Sequence, residues 1–75
     1  IERYRQEGLK RLGDDLSDKV ALVERIALVG VDTSMVAVDL PVFDRDLQKA
    51  IKSFQHMHGL TADGIIGPDT IKWIN

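Results

Sequence analysis

The clearest periodicity in the chain lies between Asp44 and Leu60, where Leu47, Ala50, Ile51, Phe54 and Met57 recur at i, i+3, i+4, i+7 and i+10. That spacing predicts a helix from Arg45 to His58 with one apolar face, Lys49, Lys52, Ser53 and His56 being turned to solvent. Asp44 is placed to cap its start and Gly59 to stop it. Leu60 follows where such ends make an apolar contact. A second helix is predicted from Asp18 to Val29. Val20, Val23, Ile26 and Ala27 form its stripe, and Leu22, Leu28 and Val29 widen it until most of the girth is apolar. Ser17 offers the capping hydroxyl and Gly30 the stop. A third, shorter helix is expected from Pro68 to about Ile74, with Ile71 and Ile74 inward and Trp73 partly exposed. Proline suits a first helical position, where its missing N–H costs nothing.

The intervening stretches are less regular. Residues 1–12 place Ile1, Tyr4, Leu9 and Leu12 at loosely helical spacing, interrupted by Gly8, so a frayed helix or connecting segment is expected before the Gly13-Asp14-Asp15 break. Residues 31–43 carry β-branched residues and Pro41. An extended loop is expected there, within which Val36-Ala37-Val38 could pair briefly as a strand. Asp63-Gly64 marks a tight turn with Gly64 at positive φ. The pattern predicts an all-α fold: an N-terminal helical or extended arm over residues 1–16, then a three-helix domain over residues 17–75.

Composition narrows the function more than the fold. Seventy-five residues make one domain of modest stability, because a chain this short buries only about 60% of its unfolded surface. There is no cysteine, so no thiolate can serve as nucleophile or metal ligand. The net charge is −2, with bases interleaved among acids, which argues against the basic stripe of a nucleic-acid binder. No apolar run is long enough for a membrane span. Ile1-Glu2-Arg3-Tyr4 is not a start and no signal segment follows, so the chain is expected to be part of a longer protein.

Candidate chemistry is sparse. His56 and His58 are the sole histidines, and residues two apart on a helix point to different sides, which argues against a shared metal ion. His58 is better placed to interact with the negative end of its helix. Ser17, Ser34 and Ser53 lack a glycine elbow or a neighbouring base. Asp14, Asp15 and Asp18 lack the glycine and closing glutamate of a calcium loop. The sequence points to no catalytic residue, metal or cofactor: this segment is not expected to be an enzyme. A helix-turn-helix reading would make Pro68–Ile74 the reading helix, but Asp69 and a single lysine, Lys72, supply too few contacts to DNA.

Residues 47–70 add a specific motif: Leu47-Gln48-Lys49-Ala50-Ile51-Lys52-Ser53-Phe54-Gln55, then His58-Gly59-Leu60, then Asp63-Gly64-Ile65-Ile66-Gly67-Pro68-Asp69-Thr70. This closely resembles the peptidoglycan-binding-like domain, a three-helix module of wall hydrolases, amidases and transpeptidases. Val20, Val23, Arg25, Ile26, Ala27 and Gly30-Val31-Asp32 resemble that family's first helix and its stop, so the likeness spans roughly residues 17–75. Tyr4-Arg5, Arg25-Ile26-Ala27, the long loop before Phe43-Asp44, and Trp73-Ile74-Asn75 further resemble the domain inserted in large L,D-transpeptidases of the YcbB type. In those proteins the nucleophilic cysteine lies in a catalytic domain that begins after this point.

The resemblance implies a periplasmic or cell-envelope setting, peptidoglycan (glycan strand or stem peptide) as ligand, and a parent catalytic domain as neighbour. The expected ligand surface is where the Asp63–Gly67 turn meets the third helix, with Gln55, His58, Asp63, Gly64, Ile66, Gly67, Asp69, Thr70 and Trp73 as candidates. Free N–H groups at that helix start would suit stem-peptide carboxylates, with Asp69 opposing them. Trp73 offers a flat face for sugar or peptide, and His58 and Gln55 polar contacts. The competing expectation is an interaction module that regulates access to the parent's catalytic domain.

Overall fold

The computed structural model describes residues 10–74; residues 1–9 and Asn75, and with them most of the frayed helix expected over residues 1–12, lie outside that description. Three helices follow one another among the described residues: α1 Lys19–Ala27, α2 Arg45–Met57 and α3 Pro68–Ile74. α1 packs against both others, and among the described residues no strand forms beyond isolated bridges. The fold is an all-α three-helix bundle.

Local chemistry sets the ends of α2. Asp44 sits in extended backbone and its Oδ1 accepts from the Leu47 N–H at 3.0 Å, satisfying one of the four donors a helix start leaves open. At the other end Gly59 takes φ of 70°. The Leu60 N–H reaches back to the Gln55 carbonyl at 2.8 Å and the Gly59 N–H to that of His56 at 3.1 Å, a Schellman stop. Leu47, Ala50, Ile51 and Phe54 are buried as expected, but Met57 is half exposed. The inward side continues instead through half-buried His58, four residues beyond Phe54, whose ring packs 4.5 Å from the Phe54 ring.

α1 departs from expectation in rotation and in both ends. Its buried residues are Lys19, Leu22, Val23 and Ile26, at i, i+3, i+4 and i+7, while Val20 and Ala27 face outward. The Lys19 head group explains the rotation. It is buried, and its Nζ donates to Asp44 Oδ2 at 2.9 Å. A buried charge is tolerated only when paired, so the partner across the bundle decides which face turns inward. Asp44 thus caps α2 with one oxygen and holds α1 with the other. Ser17 is exposed, Asp18 stands at the N-cap, and no side chain caps the helix. The helix stops at Ala27 rather than Val29, with a turn to Gly30 at φ of 97°.

The irregular segments close the bundle. Val36–Val38 forms no strand; the Val36 N–H bonds back to the Thr33 carbonyl at 3.0 Å and the Ser34 N–H to Asp32 Oδ1 at 3.0 Å. Residues 10–16, expected as part of an arm ahead of the domain, are joined to it at two places. Lys10 exchanges backbone hydrogen bonds with Ile66 at 3.1 and 2.8 Å, and Gly13, Asp14 and Leu16 bond to Phe43 and Pro41. Leu16 and Phe43 are fully buried beneath that junction with Leu47 and Ile51.

Candidate functional site

The corner between α2 and α3 is organised by one side chain. Gln55 is 1% exposed, and every polar atom of its amide is used. Its Oε1 accepts from the Gly64 N–H at 2.9 Å. Its Nε2 faces three acceptors: Asp63 Oδ1 at 3.0 Å, the Ile65 carbonyl at 2.9 Å and Thr70 Oγ1 at 3.0 Å. A neutral amide can do this because it carries both donor and acceptor on one short planar group. The sequence expectation that Gln55 offers a polar contact to ligand meets this geometry: the side chain is committed to shaping the turn from below.

Asp63 completes the turn locally, its Oδ1 also accepting from the Ile65 N–H at 2.9 Å. Gly64 takes φ of 75°, and a Cβ there would stand 2.8 Å from Gln48 Cγ and 3.2 Å from Lys52 Cε. Only glycine fits both the left-handed backbone and the close approach of α2. Gly64 and Ile66 are buried, Ile66 with its backbone bonded to Lys10, and neither lines an open surface. Gly67 does not take positive φ; its carbonyl accepts from the Ile71 N–H at 2.9 Å and so starts α3.

Outside this corner lies an open cleft of about 360 Å³, lined by Gln55, Leu60, Thr61, Asp63, Ile65, Gly67, Pro68, Asp69 and Thr70. It is where the turn meets α3, as the sequence suggested, and it gathers Gln55, Asp63, Gly67, Asp69 and Thr70 of the candidates. Leu60, Thr61, Ile65 and Pro68 line it too and were not among them. Their signal was position alone, since each sits between candidates in the same turn. Thr70 is itself buried, with its hydroxyl on Gln55.

His58 and Trp73 form a separate pair. Their rings stack with centroids 4.7 Å apart and planes 21° from parallel, His58 lying against Phe54 behind. His58 Nε2 is buried without a hydrogen-bond partner, so this ring serves as packing surface. Trp73 is 51% exposed and presents its other side to solvent. Asp69, which lines the cleft, and Trp73, which does not, are four residues apart and fall on one face of α3. At the end of α3 the Ile74 carbonyl accepts from Arg25 Nε at 2.7 Å, a cation where the helix is negative. Among the described residues no group of three or more His, Asp or Glu could hold a metal ion. An arrangement of packed rings, an amide-braced turn and an open cleft is equipped to bind.

The sequence matches, over residues 5–74, the family described as "Putative peptidoglycan binding domain". The chain belongs to this family. The match begins well ahead of residue 17, consistent with residues 10–16 being bonded into the fold. Among solved structures, the chain is similar to a peptidoglycan-binding protein from Clostridioides difficile, determined in complex with glutamine hydroxamate. The two are 32% identical with a TM-score of 0.70, over 88% of this chain and 39% of that one. The chain thus spans about two-fifths of that protein's length. No curated protein sequence matches it significantly.

Proposed function

We propose that this chain is the non-catalytic wall-binding domain of a larger cell-envelope enzyme, and that peptidoglycan docks in the cleft beside α3 with Trp73 at its rim. The carrying observation is the family match over nearly the whole chain, together with an open cleft on the corner that the family's motif residues build. Binding there would hold a tethered catalytic domain at high effective concentration near its polymer, with no bond made or broken by this domain. The parent is proposed to be an L,D-transpeptidase of the YcbB type, or failing that a wall hydrolase, working in the periplasm.

Trp73→Ala is expected to cut co-sedimentation with purified sacculi about tenfold while leaving the helical circular dichroism intact. Undiminished sedimentation would remove Trp73 from the site.

A second reading, docking against the parent's catalytic domain to regulate access, draws on the outer face of α1. Val20 is 51% and Leu28 80% exposed there, and Leu28 helps line a shallow groove with Ala21, Glu24 and Arg25. Binding of the isolated catalytic domain that Leu28→Asp abolishes, with no sedimentation on sacculi, would favour this reading over the first.

A further inference from the structure

We infer that the cleft selects a protonated primary amine carried on an aliphatic chain, the group that an uncross-linked stem peptide presents on its diamino acid, and rejects carboxylates. This rests on the reading of the cleft as the wall-binding site and names the chemistry it takes.

The lining contains two charged groups, Asp63 and Asp69, and no lysine or arginine. Asp63 is held in place: two N–H donors, from Gln55 and Ile65, fix its Oδ1, which leaves Oδ2 available. Asp69 is exposed on the first turn of α3. Lys52, whose stem passes Gly64, and Lys72, farther along α3, lie outside the lining. A carboxylate entering the cleft would therefore meet like charge with no base to offset it. At the start of α3 Pro68 brings no N–H, so a carboxylate there would meet only the Asp69 and Thr70 N–H groups, with the Asp69 carboxylate on the same turn opposing it. That charge balance reverses the expectation drawn from the helix end alone.

An ammonium group meets the opposite conditions. It donates up to three hydrogen bonds and accepts none, which suits a site offering carboxylates. Leu60, Ile65 and Pro68 supply apolar wall for the carbon chain that carries it. Trp73, on the same face of α3 as Asp69, adds an exposed ring to which cations are drawn. Cross-linking of the wall converts this amine into an amide, which removes its charge and its donor capacity. A domain reading the free amine would collect on wall that still has acceptor stems to be joined.

The test is co-sedimentation of the chain with three preparations of the same sacculi: untreated, N-acetylated with acetic anhydride, and carboxyl-amidated with methylamine. Acetylation is expected to lower binding at least tenfold and amidation to leave it within twofold. Asp69→Asn, a conservative change at an exposed position, should lower binding to untreated sacculi about fivefold and erase the difference between untreated and acetylated material. Equal binding to untreated and acetylated sacculi, or loss on amidation, would overturn the amine assignment while wall binding stands. Absence of binding to all three would overturn both that assignment and the wall-binding reading beneath it.

Discussion

Two buried polar anchors hold this small bundle, and they work on different physics. The Lys19–Asp44 pair joins α1 to the start of α2 through charge, with Lys19 buried and Asp44 a quarter exposed. The Gln55 hub joins α2 to the turn and α3 through a neutral amide, with no charge to desolvate. Each ties together segments that no local interaction would join. The difference is where each stands: the charged anchor lies at the far junction, and the neutral one lies directly under the cleft. A neutral hub fixes the cleft's shape without adding to its electric field, so the field there is left to Asp63 and Asp69. The Gln55 amide itself carries no titratable proton, whereas the charged anchor depends on the Asp44 carboxylate.

The largest expected effect tests the hub. Gln55→Ala strands the buried Gly64 N–H, frees three acceptors and leaves a cavity, at a cost of about 4 kcal/mol. Urea unfolding should register the loss, and its size should not follow the acid titration of Asp44. A loss under about 1 kcal/mol would mean the turn is held by something else.

Asp44→Asn comes next, at about 2 kcal/mol near neutral pH: asparagine retains much of the cap but leaves buried Lys19 without its counter-charge. Partial burial pushes the Asp44 carboxyl up, but the hydrogen bond from Lys19, that from the Leu47 N–H and the Lys19 charge together hold it below its ordinary value of 3.8. A lowered folded pKa gives stability that is present above the ordinary value and lost as pH falls through the lowered one. The unaltered chain should therefore lose stability in that acid window, and the difference from Asp44→Asn should close there. A constant difference across the window would break the contrast between the two anchors.

The smallest effect checks a start that has no side-chain cap. Ser17→Ala should change stability by no more than about 0.3 kcal/mol, because Ser17 is exposed and α1 carries no side-chain cap bond. A loss near 1 kcal/mol would restore Ser17 as the cap.

The same contrast explains what could be read from the sequence. α2 was legible from cap to stop because Asp44, the stripe from Leu47 to Phe54 and Gly59 all act within a few residues of one another. The cleft was legible too, because an Asp-Gly turn running into a proline-led helix is a local signal. The buried face of α1 lies one position from the one its apolar pattern predicts. Its apolar residues ring the helix, so pattern alone cannot fix its rotation, and the residue that does, Lys19, answers to a partner 25 positions away. Residues 10–16 likewise carry no local signal of their place, since their bonds run to Pro41, Phe43 and Ile66. Gln55 is the instructive case. At four residues past Ile51 and eight past Leu47 it falls on the inward stripe, and that spacing was a signal that it packs inside rather than meeting a ligand.

The central claim is that the amide-braced cleft and the adjoining Trp73 face form the wall-binding surface. An amide chemical-shift titration with soluble muropeptides tests it most directly. The expected result is a set of perturbations confined to Thr61, Asp63, Ile65, Gly67, Asp69 and Trp73, with α1 unmoved. Perturbations confined to Val20, Glu24 and Leu28 on the outer face of α1, or no perturbation at saturating muropeptide, would contradict the account.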